Sequence, residues 1–148
     1  MNTACKLSAI FISAVFFISC GKIDNKQEPL DKRFKPFIGK TVKLKQVQKA
    51  DDSIFTPNPG DPVTFINIDT QQISGQISCN GFSADANWLK NGTLLLSNLR
   101  QDTSRCPNPV PFTLQLSMAY DADDQGDELY IKDMSGNTAT FEKVANSR

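Results

Sequence analysis

Four cysteines, sixteen side-chain carboxylates and no histidine set the chemistry open to this 148-residue chain. Without imidazole there is no Ser-His-Asp or Cys-His nucleophile system, no His-ligated metal, and no side chain that ordinarily shuttles protons near neutral pH. Cys5, Cys20, Cys79 and Cys106 lack the close spacing of a zinc knot. The densest carboxylates lie at 121–128, Asp-Ala-Asp-Asp-Gln-Gly-Asp-Glu, which begins like a calcium loop: side-chain oxygens at relative positions one, three and five, glycine at six. Position twelve is Lys132, where an EF-hand loop needs a bidentate glutamate, and the flanks read as strands, so an acidic hairpin turn is expected. Asp85, Asp102 and that cluster are the carboxylates a glycosidase would draw on, with acidic solvated loops as the simpler reading. No glycine-rich phosphate loop occurs, so no catalytic residue, metal or cofactor is expected.

Chemistry of another kind is written at the amino terminus. Lys6 precedes an apolar run at 7–18. As a helix this run is about 18 Å long, short of the roughly 30 Å hydrocarbon core, and it fits a secretory signal better than a membrane anchor. It ends Phe17-Ile18-Ser19-Cys20-Gly21, which resembles the lipobox of bacterial lipoproteins, with Phe17 where leucine is common. Without that resemblance, Cys20 is the last residue of an ordinary signal or part of a core helix. The resemblance implies cleavage after residue 19 and acylation of Cys20. Several acyl chains, at about 0.8 kcal/mol per buried methylene, hold a membrane far better than one. Gly21, rather than an acidic residue after Cys20, implies onward transport to an outer membrane, with the domain facing the periplasm. Cys79 and Cys106 then remain as an even pair in an oxidising compartment and read as one disulfide.

Residues 20–37 are polar, partly basic and without apolar periodicity, and are expected to form a tether. Residues 22–49 carry nine basic and three acidic side chains, a net of +6; residues 50–148 carry six and thirteen, a net of −7. A basic stretch beside a lipid anchor either lies on anionic headgroups, at up to about 1 kcal/mol per cation, or simply spaces the domain from the membrane. The overall balance of charge argues against nucleic acid as a partner.

The elements that must position these residues are strands. Residues 41–47 alternate apolar and polar; 51–62 is a loop rich in Pro, Gly, Asn and Asp; 63–68 and 73–78 follow as strands. Asn91-Gly92 predicts a type I′ hairpin between Trp88-Leu89 and residues 93–96. Phe112, Leu114, Leu116, Met118 and Tyr120 give the cleanest period of two, and 129–131 and 138–141 form a last hairpin across Ser135-Gly136-Asn137. Seven or eight short strands predict a mostly β, single antiparallel barrel or half-barrel over 38–144, with a tail at 145–148. Trp88 and the phenylalanines are expected in its core.

The order Ile73-Ser74-Gly75-Gln76-Ile77-Ser78-Cys79-Asn80-Gly81-Phe82-Ser83, then Gly92-Thr93-Leu94-Leu95-Leu96, then Asp102-Thr103-Ser104-Arg105-Cys106 resembles the META domain (HslJ-like) family. The ending Glu128-Leu129-Tyr130-Ile131 with Gly136-Asn137-Thr138-Ala139-Thr140-Phe141 resembles that family's closing hairpin. The resemblance covers roughly residues 38–144. Ser78 stands where members usually have glycine, and prolines 107, 109 and 111 lead into an alternating run where members carry a helix. A β-rich α+β fold with one short helix is the variant that helix would give. The family is often exported and lipid-anchored, is linked with envelope stress and antibiotic tolerance, and has no agreed enzymatic activity. The resemblance therefore implies a non-enzymatic envelope lipoprotein that binds or stabilises an envelope component; a monomer is expected. Cys79, Asn80 and Cys106 would be framework, with Asn80-Gly81 turning the chain at positive φ beside the disulfide. The alternative is a periplasmic inhibitor of a hydrolase such as a lysozyme or protease, with the Pro-rich loop at 106–111 as its probe.

Overall fold

Alternation of apolar and polar residues produces strands here almost wherever it is sustained. The computed structural model describes residues 32–144; the signal segment, Cys20, residues 20–31 and the tail at 145–148 lie outside the described residues. The strands are β1 (Lys40–Gln48), β2 (Ile54–Phe55), β3 (Phe65–Ile68), β4 (Gln72–Ile77), β5 (Asn80–Trp88), β6 (Thr93–Gln101), β7 (Ser117–Ala122), β8 (Glu128–Lys132) and β9 (Thr138–Lys143). From β3 to β9 each strand pairs antiparallel with the next, and β1 pairs with both β3 and β9. This closes an eight-stranded barrel, and closure removes exposed sheet edges. The ninth strand, β2, pairs with the far end of β1 at Val47↔Phe55, beyond the stretch taken by β3. The expected small antiparallel barrel is therefore the fold. Among the described residues the helical structure is a single 3-10 turn, Lys35–Phe37.

The barrel is filled by its own side chains. Val42, Ile66, Ile73, Leu94, Leu129, Ile131 and Phe141 are buried from six different strands. The end of the barrel where β1 begins is closed by residues 32–39. Phe34 and Phe37 are buried there, and Phe34 stacks on Trp88 with ring centroids 3.8 Å apart. Arg33 pairs with Asp121 at 2.7 Å across the same end. The segment at 32–37, expected as the end of the tether, therefore places two buried aromatics, Phe34 and Phe37, among its three cations.

Several local expectations change. Residues 51–62 contain β2, and the first residues of the expected strand at 63–68 lie outside β3, following Pro62. The strand expected over 112–120 is β7 from Ser117 only. Phe112 and Leu114 are buried as the alternation requires, but Leu116 is 64% exposed and breaks the sequence of inward residues. Prolines 107, 109 and 111 offer no donor to a ladder, and no helix forms there. At Asn91-Gly92 only Gly92 has positive φ, at 80°. Leu89 N–H donates to Thr93 O at 2.9 Å and Gly92 N–H to Leu89 O at 3.1 Å, so a three-residue loop replaces the two-residue type I′ turn.

The Asn80-Gly81 turn is also corrected. Ile77 pairs with Asn80 and Gln76 with Gly81, so both residues belong to β5. The turn is Ser78-Cys79, and Ser78 holds the positive φ of 56°. This is the position where the resembled family has glycine, and a two-residue hairpin needs such a conformation there.

Gly75 has a different requirement. A Cβ there would collide with the carbonyl of Phe65 on β3, which is backbone and cannot swing aside. Gly75→Ala is expected to cost about 1–3 kcal/mol by forcing β3 and β4 apart. A lowered urea midpoint with an unchanged m-value would show it.

Candidate functional site

Two surface features bring together the polar residues of interest. One is the loop after β6, clamped to the start of β5. Cys79 and Cys106 form a disulfide with Cα atoms 5.5 Å apart. Cys79 N–H points at Cys106 Sγ at 3.1 Å, and Asn80 Nδ2 lies 3.3 Å from the same sulfur. The Asn80 amide then serves Ser104 twice: Oδ1 accepts from Ser104 N–H at 2.9 Å, and Nδ2 donates to Ser104 O at 3.1 Å. Asp102 N–H donates to Gly81 O at 3.0 Å, and Val110 N–H donates to the Ser78 hydroxyl at 2.8 Å. Cys79, Cys106, Asn80 and Gly81 thus lie together at the foot of this loop. Asn80 acts as a side-chain brace instead of a turn residue.

The second feature is a groove on the outer wall, about 940 Å³ in volume. Its floor is a row read straight from the ladder: Thr41↔Asn67↔Ser74↔Ser83↔Arg100, one residue from each of β1, β3, β4, β5 and β6. Ser74 and Ser83 are small, which lowers the middle of the row. At one side β6 carries a bulge, and Asn98 within it has φ 51°. Bulges re-aim side chains, and here Asn98 Nδ2 reaches Asp85 Oδ2 at 2.5 Å. Thr41 Oγ1 donates to Asn67 Oδ1 at 2.6 Å. A second hollow of about 930 Å³ adjoins it through Asp69, Gln72 and Asp85, and there Leu95 and Leu116 are 39% and 64% exposed. Hydroxyl, amide and guanidinium groups on a fixed wall can hold a polar ligand by hydrogen bonds. No local sequence signal could have found this row, because it exists only through the register of five strands.

The remaining carboxylates are placed apart. Asp102 lies beside Gly81, with its carboxylate 3.2 Å from where a Cβ would be, and Asp85 is four residues further along β5. At about 3.3 Å per residue this puts Asp85 roughly 13 Å along β5 from the strand position beside Asp102. The acidic segment at 121–128 is a hairpin turn knit by its own contacts. Asp123 Oδ1 accepts from the N–H groups of Asp127 and Glu128 at 2.7 and 2.9 Å, and Asp127 pairs with Lys143 at 3.2 Å. Among the described residues no three Cys, Asp or Glu side chains converge as a metal site.

Glu128 accepts from Lys45 Nζ at 2.6 Å and from the Tyr130 hydroxyl at 2.7 Å. These donors hold its carboxyl below the ordinary glutamate value of about 4.5, the lysine first and the tyrosine second. The bond to Glu128 in turn pushes the Tyr130 hydroxyl up to about 12. A lowered carboxyl pKa stabilises the fold above the unfolded value and is lost as pH falls through the folded one. Stability should therefore decline as pH drops below about 4.5, and Glu128→Gln should flatten that decline. Urea midpoints between pH 7 and pH 3 for both proteins measure the difference.

No family model matches this chain, and no curated protein matches it. Among solved structures the chain is similar to an NMR structure of a protein from Burkholderia xenovorans, with 14% identity and a TM-score of 0.55. That alignment covers 99% of this chain and 100% of the other. At this identity the likeness bears on the barrel fold alone.

Proposed function

We propose that the protein is a non-enzymatic lipoprotein of the bacterial envelope, anchored through Cys20, whose META/HslJ-like barrel binds or stabilises an envelope component. The observation that carries this reading is the Cys79–Cys106 disulfide, because such bonds persist in exported proteins and are rare in the cytosol. The interior of the barrel is occupied by core side chains, so binding falls to the outer wall, where the groove from Thr41 to Arg100 offers hydrogen-bonding groups. A role under envelope stress or antibiotic challenge follows from the family resemblance.

The test is the intact mass of the protein from a native membrane fraction, with thiols alkylated before and after reduction. The expected mass is that of residues 20–148 plus acyl chains, gaining two alkyl groups only after reduction. An unprocessed chain with four free thiols would remove the envelope assignment altogether. A deletion strain with unchanged envelope and drug sensitivity would remove the stress role.

A second reading, a periplasmic inhibitor of a hydrolase, is favoured by the loop after β6. Its backbone is fixed on one side by Asn80 and the disulfide.

A further inference from the structure

The residues of that loop bond inward alternately. Asp102 donates to Gly81 O, Ser104 exchanges two bonds with the Asn80 amide, and Cys106 is tied to Cys79. Alternate inward bonding is the pattern of an extended chain, in which the N–H and C=O of neighbouring residues face opposite sides. The backbone groups of Thr103 and Arg105 therefore face away from the barrel. Thr103, Ser104 and Arg105 are all exposed. What the loop offers is an extended edge with a cationic side chain at Arg105 and a hydroxyl at Thr103, stiffened behind by Pro107 and Pro109.

We infer that residues 103–106 form an inhibitory loop for serine peptidases of trypsin-like specificity, with Arg105 entering the acidic primary pocket. Such peptidases bind substrate as an added antiparallel strand, using the backbone of the residue before the scissile bond and of the residue two before that. Here those are Arg105 and Thr103, the two whose backbones are turned outward. The intervening Ser104 is held from behind, so little conformational freedom is lost on binding.

The bracing also explains why the loop would block the enzyme instead of feeding it. Acylation breaks the Arg105–Cys106 peptide bond and joins the Arg105 carbonyl carbon to the peptidase serine oxygen. The serine proton passes through the peptidase's own base to the Cys106 amine. That amine cannot leave, because the disulfide holds Cys106 to Cys79, while Asn80 holds Ser104 on the acyl side. The amine stays beside the acyl carbon and re-forms the bond before water replaces it.

This inference rests on the inhibitor reading and narrows it to one enzyme class. The test titrates trypsin with the full-length oxidised protein and follows both residual activity and cleavage by mass spectrometry. Stoichiometric inhibition is expected, with the chain largely intact. Arg105→Ala should weaken inhibition by about 30-fold or more, the effect of losing one dominant interface residue, whereas Arg105→Lys should retain it. Asn80→Ala should convert the loop towards an ordinary substrate cut after Arg105, and circular dichroism would confirm that this variant is folded. Rapid cleavage of the parent protein, no effect on trypsin, or inhibition indifferent to Arg105 would each overturn the proposal. A parallel lysozyme assay separates the two levels: inhibition of lysozyme without inhibition of trypsin would leave the inhibitor reading standing and remove the peptidase assignment.

Discussion

Replacing Cys79 and Cys106 with serine should lower stability by roughly 3–4 kcal/mol. The bond closes a loop of about 28 residues, and the chain entropy this removes from the unfolded state sets that scale. For a domain of this size such a loss corresponds to a fall of roughly 10–20 °C in melting temperature. The loop contains β5 and β6, whose ladder carries a bulge between Ser83 and Asp85. The same substitution loosens residues 102–106, because only the Asn80 amide on Ser104 and the Asp102 N–H bond to Gly81 O would then hold them. Calorimetry of the oxidised protein, the reduced protein and the double serine variant tests this directly. Agreement between reduced and variant proteins would assign the loss to the cross-link; a variant much weaker than the reduced protein would point to packing of the sulfurs.

How much of this was legible beforehand depends on what local residues can report. β1, β4 and β8 alternate, and one buried face imposes that pattern on a strand of a filled barrel. β5 was harder to see. Its inward positions Phe82, Ala84, Ala86 and Trp88 alternate perfectly, but two are alanines between polar neighbours, so the period carries little hydrophobic signal. The N-terminal plug was hidden by charge: Lys32, Arg33 and Lys35 surround Phe34, and only the burial of Phe34 and Phe37 shows that the segment belongs to the core. The disulfide partners were readable from cysteine number once export was inferred. The brace at Asn80 was not, because it depends on a loop more than twenty residues away arriving beside β5. The Thr41–Arg100 row needed the pairing of five strands, which no single segment specifies.

Phe34→Ala should cost about 3–5 kcal/mol, the range for removing a buried phenylalanine and leaving a cavity. Phe34 is fully buried, stacks on Trp88 at 3.8 Å and meets Tyr120 edge-on at 5.5 Å, so the deletion opens a space between three rings. Trp88 is 2% exposed, and its indole Nε1 is buried without a hydrogen-bond partner, standing nearly perpendicular to the Tyr120 ring at 5.0 Å. An unpaired buried donor gains when water reaches it, so the cavity should hydrate from this side. Trp88 is also the single tryptophan of the chain, which makes its fluorescence a direct reporter. The expected result is a lower unfolding midpoint together with red-shifted emission in the folded variant. The outcome decides where the domain begins. A large loss makes residues 32–37 part of the folding unit, and any tether to a membrane must then end before Lys32. A loss below about 1 kcal/mol would mean that the barrel closes without its plug, and that the stack of Phe34 on Trp88 contributes little to holding that end shut.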